Sequence, residues 1–401
     1  MDKPTRILVC GGGNGAHTMA ATAAALKNVE VNVMTLFADE AQRWTDTLGS
    51  DSIEIDVTYN DGNTGILKGK PRIITKDPAQ GMDGVNAVFF VVPAFAHQQY
   101  FDAIVKHIKP NTIIVGMPGQ AGFEFQALKC LGDVASKCAI LSLESLPWAC
   151  RILEFARKVQ ILGFKDVLGV SLIPGHGEYS LPPLQFVQTI LGKKPALKLT
   201  QNYIAVNLMA KSIIHPPVLY GKWHNWDGKP LAEAPVFYQG VDDEQADMLS
   251  KVSDEVVATA QEIGKQRPDL DMSEVIPILE WYRIYYRDQI TDSSNLKSCM
   301  VTNKAYNGLL HPMEKTDAGF VPNFKYRYTS EDIPFGLVVM KGIAECVNVK
   351  TPAIDSVITW AQGKLGKEYI VGSELKGKDV GTTRAPQAYG FKNLEDLCKM
   401  L

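Results

Sequence analysis

At 401 residues, 46% of them hydrophobic and 21% charged, the chain is longer than single domains usually are and can bury two substantial cores. A formal net charge of −3, with no long run of Lys or Arg, argues against nucleic acid or an anionic membrane as a partner. The seven cysteines (Cys10, Cys130, Cys138, Cys150, Cys299, Cys346, Cys398) are scattered and never form a CxxC pair, so neither a disulfide framework nor a metal site is expected, and a reducing compartment fits.

Met1 to Arg6 carries charges and then enters an apolar run too short for a signal segment or a membrane span, which predicts a cytoplasmic protein. Ile7 to Cys10 reads as a strand, Gly11 to Gly15 as a loop, Ala16 to Leu26 as a helix and Val31 to Phe37 as a second strand. Apolar runs at Ala87–Val92, Thr112–Val115 and Cys138–Leu143 repeat the rhythm and imply a parallel, doubly wound sheet. Val159–Gly163 and Val167–Ile173 read as two more strands joined by a Phe-Lys-Asp turn, so the sheet is expected to end in antiparallel additions.

Beyond a Pro and Gly rich stretch (Pro174 to Pro183) and a connector near Lys193 to Thr200, strand signals thin out. Helices are expected over Asn202–Ile214, Glu244–Ile263, Ser273–Gln289, Leu296–Leu310, Phe335–Val347 and Ile354–Leu365. The expected fold class is therefore α/β, a Rossmann domain over residues 1–200 followed by a mostly α-helical domain over 201–401.

Gly11-Gly12-Gly13-Asn14-Gly15-Ala16 is the G-x-G-x-x-A form of the dinucleotide fingerprint, set between a strand and a helix as its mechanism requires. Gly11 permits the tight turn, Gly13 lets the backbone approach a pyrophosphate, Ala16 allows close packing of helix on strand, and the first amides of the helix face the phosphates. At the end of the second strand, Asp39 after Phe37 places a carboxylate where the adenosine ribose belongs, which favours NAD(H) over its 2′-phosphorylated form, although Arg43 one turn later works against that preference. Asp39 and Gln42 also have capping-box spacing, so the carboxylate has a purely structural alternative. Val92 and Pro93 close the next internal strand at the crevice where strand order reverses, or are simply part of a strand-to-helix turn. The expected cofactor contacts are Gly11, Gly13, Asn14, Gly15, Ala16, Phe37, Asp39, Arg43, Val92 and Pro93.

A nicotinamide enzyme must add a proton carrier and a substrate anchor of its own, and His is the natural carrier near neutral pH. His215 stands out because it closes an apolar helix and Pro216-Pro217 follow at once and end that helix; a structural helix cap is the alternative. His17 is expected beside the cofactor, and His97, His107, His176, His224 and His311 at ordinary surface positions. Arg327 to Pro334 reads as a charged loop before a helix near Phe335, in which Arg327 offers a fork for a carboxylate and Asp332 a partner for an imidazole. Ser330 or Asp332 as a plain helix cap, with Arg327 on the surface, is the other reading.

The segments Cys10–His17, Leu36–Ala41, Val92–His97, Leu146–Arg151 and Arg327–Pro334, with Trp226–Pro230, Gly366–Tyr369 and Thr383–Gln387, together resemble the invertebrate opine dehydrogenase family over nearly the whole chain. The resemblance implies NADH-dependent reductive condensation of pyruvate with an amino acid (arginine, taurine, alanine, glycine or β-alanine), regenerating NAD for anaerobic glycolysis. It also implies a monomer whose helical domain closes over the cofactor domain. Carried over by position, His215 is the acid/base, Asp332 its orienting partner and Arg327 the anchor for the pyruvate carboxylate; Gln120 and Cys150 belong to the amino acid site, and Trp281 lines the pyruvate side. Cys150 is assigned contact only, since nothing in the reaction needs a thiolate.

One departure stands out: Lys211 lies one turn before His215, where octopine-type members carry an aromatic residue. A pocket-facing Lys211 suits an anionic amine such as taurine or leaves room for alanine or glycine, whereas a solvent-facing one leaves arginine possible. Two other functional classes stay open: a 2-keto acid reductase of similar fold that uses no amine, and a non-catalytic NAD(H) sensor.

Overall fold

The computed structural model describes residues 4–200 and 202–399, which form two compact units, 4–203 and Ile204–Lys399.

The first unit is built on an eight-stranded sheet and a second, four-stranded one. In chain order its elements are β1 (Thr5–Cys10), α1 (Asn14–Ala24), β2 (Val29–Met34), α2 (Glu40–Leu48), β3 (Ile53–Thr58), β4 (Thr64–Gly69), β5 (Ile73–Thr75), α3 (Pro78–Gly81) and β6 (Ala87–Phe90). There follow α4 (His97–Ile104), β7 (Ile113–Gly116), α5 (Phe123–Leu131), β8 (Ala139–Leu143), β9 (Trp148–Glu154), β10 (Lys158–Phe164), β11 (Val167–Ile173), α6 (Pro183–Leu191) and β12 (Ala196–Leu199).

The large sheet runs β12-β11-β8-β7-β6-β1-β2-β5. Its strands from β5 to β8 are parallel, β1, β6, β7 and β8 being buried on both faces after the edge residues, as continuous apolar runs such as Ala87-Val88-Phe89-Phe90 require. The chain leaves β1 for β2 on one side and later returns to β6 on the other, so the carboxyl ends of β1 and β6 flank the switch point. This is the expected doubly wound Rossmann arrangement, and β11 does add antiparallel to β8.

The two strands expected on either side of the Phe-Lys-Asp turn part company, however. β10 leaves the large sheet and joins the second one, of order β4-β3-β10-β9, while β11 stays in the first. In β3 the sequence Ile-Glu-Ile-Asp-Val-Thr alternates strictly, with Ile53, Ile55 and Val57 buried and an ion-paired outer face on which Glu54 meets Lys68 and Lys158. The inner face shares one core with Ala16, Met19, Ala20 and Ala23 of α1. Alanine keeps that helix slim, and Gly69 at the end of β4 has no room for a Cβ, which would land 2.0 Å from the Ala21 carbonyl oxygen. The connector expected near Lys193 to Thr200 instead holds the edge strand β12, and just before it α6 buries Phe186, Val187 and Ile190.

The second unit is mostly helical. α7 (Tyr203–Leu208) leads into it, followed by α8 (His215–Trp223), α9 (Asp243–Gln266), α10 (Ile278–Tyr285), α11 (Leu296–Val301), a hairpin of β13 (Met313–Thr316) and β14 (Gly319–Pro322), α12 (Arg327–Ser330), α13 (Val338–Cys346), α14 (Pro352–Leu365) and α15 (Leu394–Cys398). The 24-residue α9 opens with a capping box in which Asp242 and Gln245 satisfy each other's backbone amides. No helix among the described residues is long and apolar enough to cross a membrane.

Candidate active site

In the first unit the turn after β1 is shaped by contacts that only glycine tolerates. Gly11 sits at φ +123°, and a Cβ there would lie 2.6 Å from the Val91 carbonyl oxygen. Gly13 faces open space and caps α1 without a side-chain acceptor, and no acidic residue occupies the helix's first turn. The α1 amides and dipole are thus left for an anion. Gly15 packs against Val91 and Leu146, and Ala16 is buried, so the close approach of α1 to the sheet involves both. The Asn14 side chain is already engaged, accepting from the Ile152 amide of β9 at 2.8 Å. Its backbone, rather than its amide group, remains for a ligand.

At the end of β2, Phe37 is 71% exposed. Asp39 caps α2 only by position: its side chain makes no capping bond, is 69% exposed, and accepts from Arg43 Nε at 2.9 Å, while Gln42 turns to Asp46. The capping-box alternative is therefore not realised. Glu40, which sequence reasoning passed over, accepts from the Thr35 hydroxyl and lies so close over the glycine turn that a Cβ on Gly12 would overlap its carboxylate. Of the β6 exit, Val92 is half-buried and Pro93 exposed.

His17 does not lie open beside this turn. It is buried, stacked on Trp44 at 3.6 Å, and its Nε2 accepts from the Ala156 amide, so it ties α1 to the second sheet; burial pulls its pKa down to about 4. His97 and His311 are likewise buried rather than superficial: His97 Nε2 meets the Val92 carbonyl oxygen at 3.0 Å, and His311 Nδ1 accepts from Trp223. Gln120 is half-buried in the loop after β7 with a left-handed φ of +63°. Cys150 is only 3% exposed within the core, where burial pushes its thiol up, so it offers a ligand little surface.

In the second unit His215 begins a helix instead of closing one. Pro216 and Pro217 occupy the first turn of α8, where a missing N–H costs nothing and the fixed φ is already helical. The expected long helix over Asn202–Ile214 is broken after Leu208, and a short 3₁₀ turn at Lys211–Ile213 delivers the chain to His215. The helix-cap alternative for His215 falls with this, because a C-terminal cap needs a helix that ends there.

His215 Nδ1 lies 2.6 Å from Asp332 Oδ2, and the two side chains are 16% and 8% exposed. The carboxylate only accepts, so it fixes the N–H on Nδ1 and leaves Nε2 as the working nitrogen. Nε2 lies 2.7 Å from the Tyr238 hydroxyl, and Tyr328 stacks flat on the imidazole at 3.7 Å and 11°. Tyr238 is held in turn by the bridge of Val236 to Leu310 and by the Phe237 amide donating to Leu309. Neither tyrosine carries a role legible in the sequence: Tyr328 lies between the more conspicuous Arg327 and Asp332, and Tyr238 has no motif around it.

The segment expected as a loop from Arg327 to Pro334 is the short helix α12 running into a π-turn, Ile333–Leu337. Asp332 precedes that turn without capping it, which frees its carboxylate for His215. Gly336 in the turn abuts Ser212, where a Cβ would fall 2.3 Å from Ser212 Oγ, so the strands of chain carrying His215 and Asp332 are pressed together at this glycine. Arg327 is 59% exposed and only loosely paired with Glu331 at 3.7 Å, leaving its fork available to an anion. Trp281 on α10 is half-buried among Tyr282, Tyr285 and Tyr286, and this aromatic cluster reaches Tyr238 through Tyr306. Lys211 is exposed and forms no ion pair among the described residues. Thus the second unit brings His215 and Asp332 together and adds Tyr238 and Tyr328, while Trp281 is linked to Tyr238 through Tyr286 and Tyr306.

Residues 199–365 match the family model described as NAD/NADP octopine/nopaline dehydrogenase, alpha-helical domain. Over its full length the chain is 50% identical to an opine dehydrogenase of Haliotis discus hannai, also covered in full. It is 44% identical to a tauropine dehydrogenase of Arabella iricolor, over 98% of this chain and 99% of the relative. A solved octopine dehydrogenase with NADH and L-arginine superimposes with a TM-score of 0.95 at 47% identity, covering 98% of this chain and 97% of that one.

Proposed function

The chain belongs to the opine dehydrogenase family, and from that premise we propose that it joins pyruvate to an amino acid by NADH-dependent reductive condensation, giving an N-(1-carboxyethyl) amino acid. The observation that carries the proposal is the bond of His215 Nδ1 to Asp332, which presents Nε2 as a proton carrier of defined direction. The residues of the glycine turn fit a dinucleotide: Gly13 opens to space and the uncapped end of α1 suits a pyrophosphate. When bound, NADH supplies the hydride.

Condensation of a keto acid with an amine expels the carbonyl oxygen as water, and a protonated His215 can donate to that oxygen as it leaves. Before it donates, the imidazolium stands opposite the Asp332 carboxylate, which offsets its charge in a site largely shut from water, and the donation leaves the ring neutral with its N–H on Nδ1. Arg327 is assigned to the pyruvate carboxylate, an assignment that its exposed and weakly engaged guanidinium supports. Gln120 and Trp281 are assigned to substrate contact and Asp39, Arg43, Phe37, Val92 and Pro93 to the cofactor, with Glu40 added as a second carboxylate beside the turn. Cys150 is given no more than a packing role.

The amino acid partner is one of arginine, taurine, alanine, glycine and β-alanine; Lys211, exposed as Arg327 is, is assigned with it to substrate contact. A cytoplasmic, NAD-regenerating role and a division of labour at about residue 200 complete the proposal; seven free cysteines accord with a reducing compartment. The test is NADH oxidation by the pure protein with pyruvate and, in turn, arginine, alanine, glycine, β-alanine and taurine. Amine-dependent oxidation supports the proposal, oxidation with pyruvate alone indicates a keto-acid reductase, and none at all indicates an NAD(H)-binding protein.

A further inference from the structure

We infer that Tyr238 is a positioning residue for His215: until the substrate oxygen takes its place at Nε2, its hydroxyl holds that nitrogen at 2.7 Å in either protonation state of the imidazole, and so sets where Nε2 points. The inference rests on reading His215 as the proton carrier. With Nδ1 committed to Asp332, neutral His215 offers a lone pair at Nε2 and the imidazolium an N–H. A carboxylate or an ammonium at this place could serve only one of these states, whereas a hydroxyl can donate to the first and accept from the second. Burial beside Tyr328 and Tyr282 pushes the Tyr238 phenol up, so it stays a hydroxyl throughout the neutral range.

Packing alone does not call for this oxygen. The Tyr238 ring stacks on Tyr306 at 3.9 Å and 16°, a contact that phenylalanine would also make, while Tyr328 lies on the imidazole face and blocks its rotation. The oxygen adds the bond to Nε2 and a shared hydrogen bond with Tyr328, and through these it fixes the imidazole within its plane. The titratable and charged groups facing this pair are Asp332, Tyr328, Tyr306, Tyr282 and Tyr286, with Arg327 beyond Tyr328. None of these replaces a hydroxyl lost at Nε2, because each already has a partner or a different ring face toward His215.

The test is Tyr238→Phe in the full chain. We expect kcat to fall about tenfold or more, as removal of an aligned partner of a general acid should. The KM for NADH should stay within about twofold. The basic limb of the pH profile of kcat/KM should move to lower pH by roughly half a unit to one unit, because the imidazolium loses a charge-assisted bond and the neutral ring only an ordinary one. A variant with normal kcat and an unmoved limb overturns the inference. A second measurement needs neither turnover nor the variant: ¹⁵N-histidine NMR of the wild type, with His215 assigned by loss of its signals in His215→Gln. An Nε2 shift typical of a hydrogen-bonded acceptor on the basic side supports the inference, and that of a free nitrogen overturns it. Failure of the wild type to oxidise NADH with any amine would overturn the proposed activity and leave this NMR result standing.

Discussion

His215 and Asp332 stand 117 residues apart in the chain and 2.6 Å apart in the folded second unit. Everything proposed for proton transfer depends on that pairing, and its charge and its geometry can be tested separately. Asp332→Asn keeps the size of the partner but removes the charge and allows the amide to present its N–H, which would favour the wrong imidazole tautomer. We expect kcat/KM to fall by roughly 100-fold or more, with NADH affinity, read by fluorescence titration, unchanged. His215→Ala should lose a similar factor, and the double variant little beyond either single one, since the two act as a unit.

Arg327→Ala should raise the KM for pyruvate by about tenfold or more while leaving the dissociation constant of NADH unchanged. Steady-state kinetics with pyruvate varied, alongside direct NADH titration, separates the alternatives. A loss confined to NADH affinity would reassign the guanidinium to a cofactor phosphate.

At Gly336 the segment carrying Asp332 abuts Ser212, three residues before His215, with no room for a Cβ. Gly336→Ala should cost about 1–3 kcal/mol in stability by overpacking and lower kcat as well, because the strain falls on the pair. Adding Ser212→Gly removes the atoms that the new methyl would strike and should restore most of both losses; denaturant unfolding and kcat on the same samples decide it.

Each unit buries a neutral histidine, His17 in the first and His311 in the second, held by burial at about 4 and about 3. Once unfolded, both would titrate near 6.5, so the unfolded chain binds more protons than the folded one below that pH. Their neutral burial therefore favours folding fully above pH 6.5, and stability is lost as pH falls toward 4, on the order of 3 kcal/mol for each by pH 4. Unfolding free energy measured between pH 7 and 5 should drop steeply. His17→Phe, which keeps a ring against Trp44, should flatten that slope even if it lowers stability at pH 7.

Much of this was legible in the amino-acid sequence where local physics and fold agree. The glycine turn, the apolar parallel strands and the long amphipathic α9 follow from patterns that no tertiary contact has to supply. β3 was equally legible from the alternation in Ile-Glu-Ile-Asp-Val-Thr, yet it is a period-two signal easily missed when a parallel sheet of unbroken apolar runs is expected. The direction of the helix at His215 was misread because Pro-Pro marks a boundary without saying which side is helical: proline both ends a preceding helix and opens a following one. The placement of β10 in a separate sheet, and of Tyr238 against Nε2, depends on pairings between distant segments that carry no local signature. Glu40 was overlooked for a related reason, since Asp39 and Glu40 are adjacent carboxylates and only the fold decides which turns toward the glycine loop.

The most direct test of reductive condensation is the identity of the product. Pyruvate, the preferred amine and NADH deuterated at the transferable position are incubated with the protein, and the products are read by mass spectrometry. The account predicts a secondary amine equal in mass to the two substrates joined with loss of water and gain of one proton and one deuterium, formed in step with NADH consumed. Deuterated lactate in place of that adduct would contradict it.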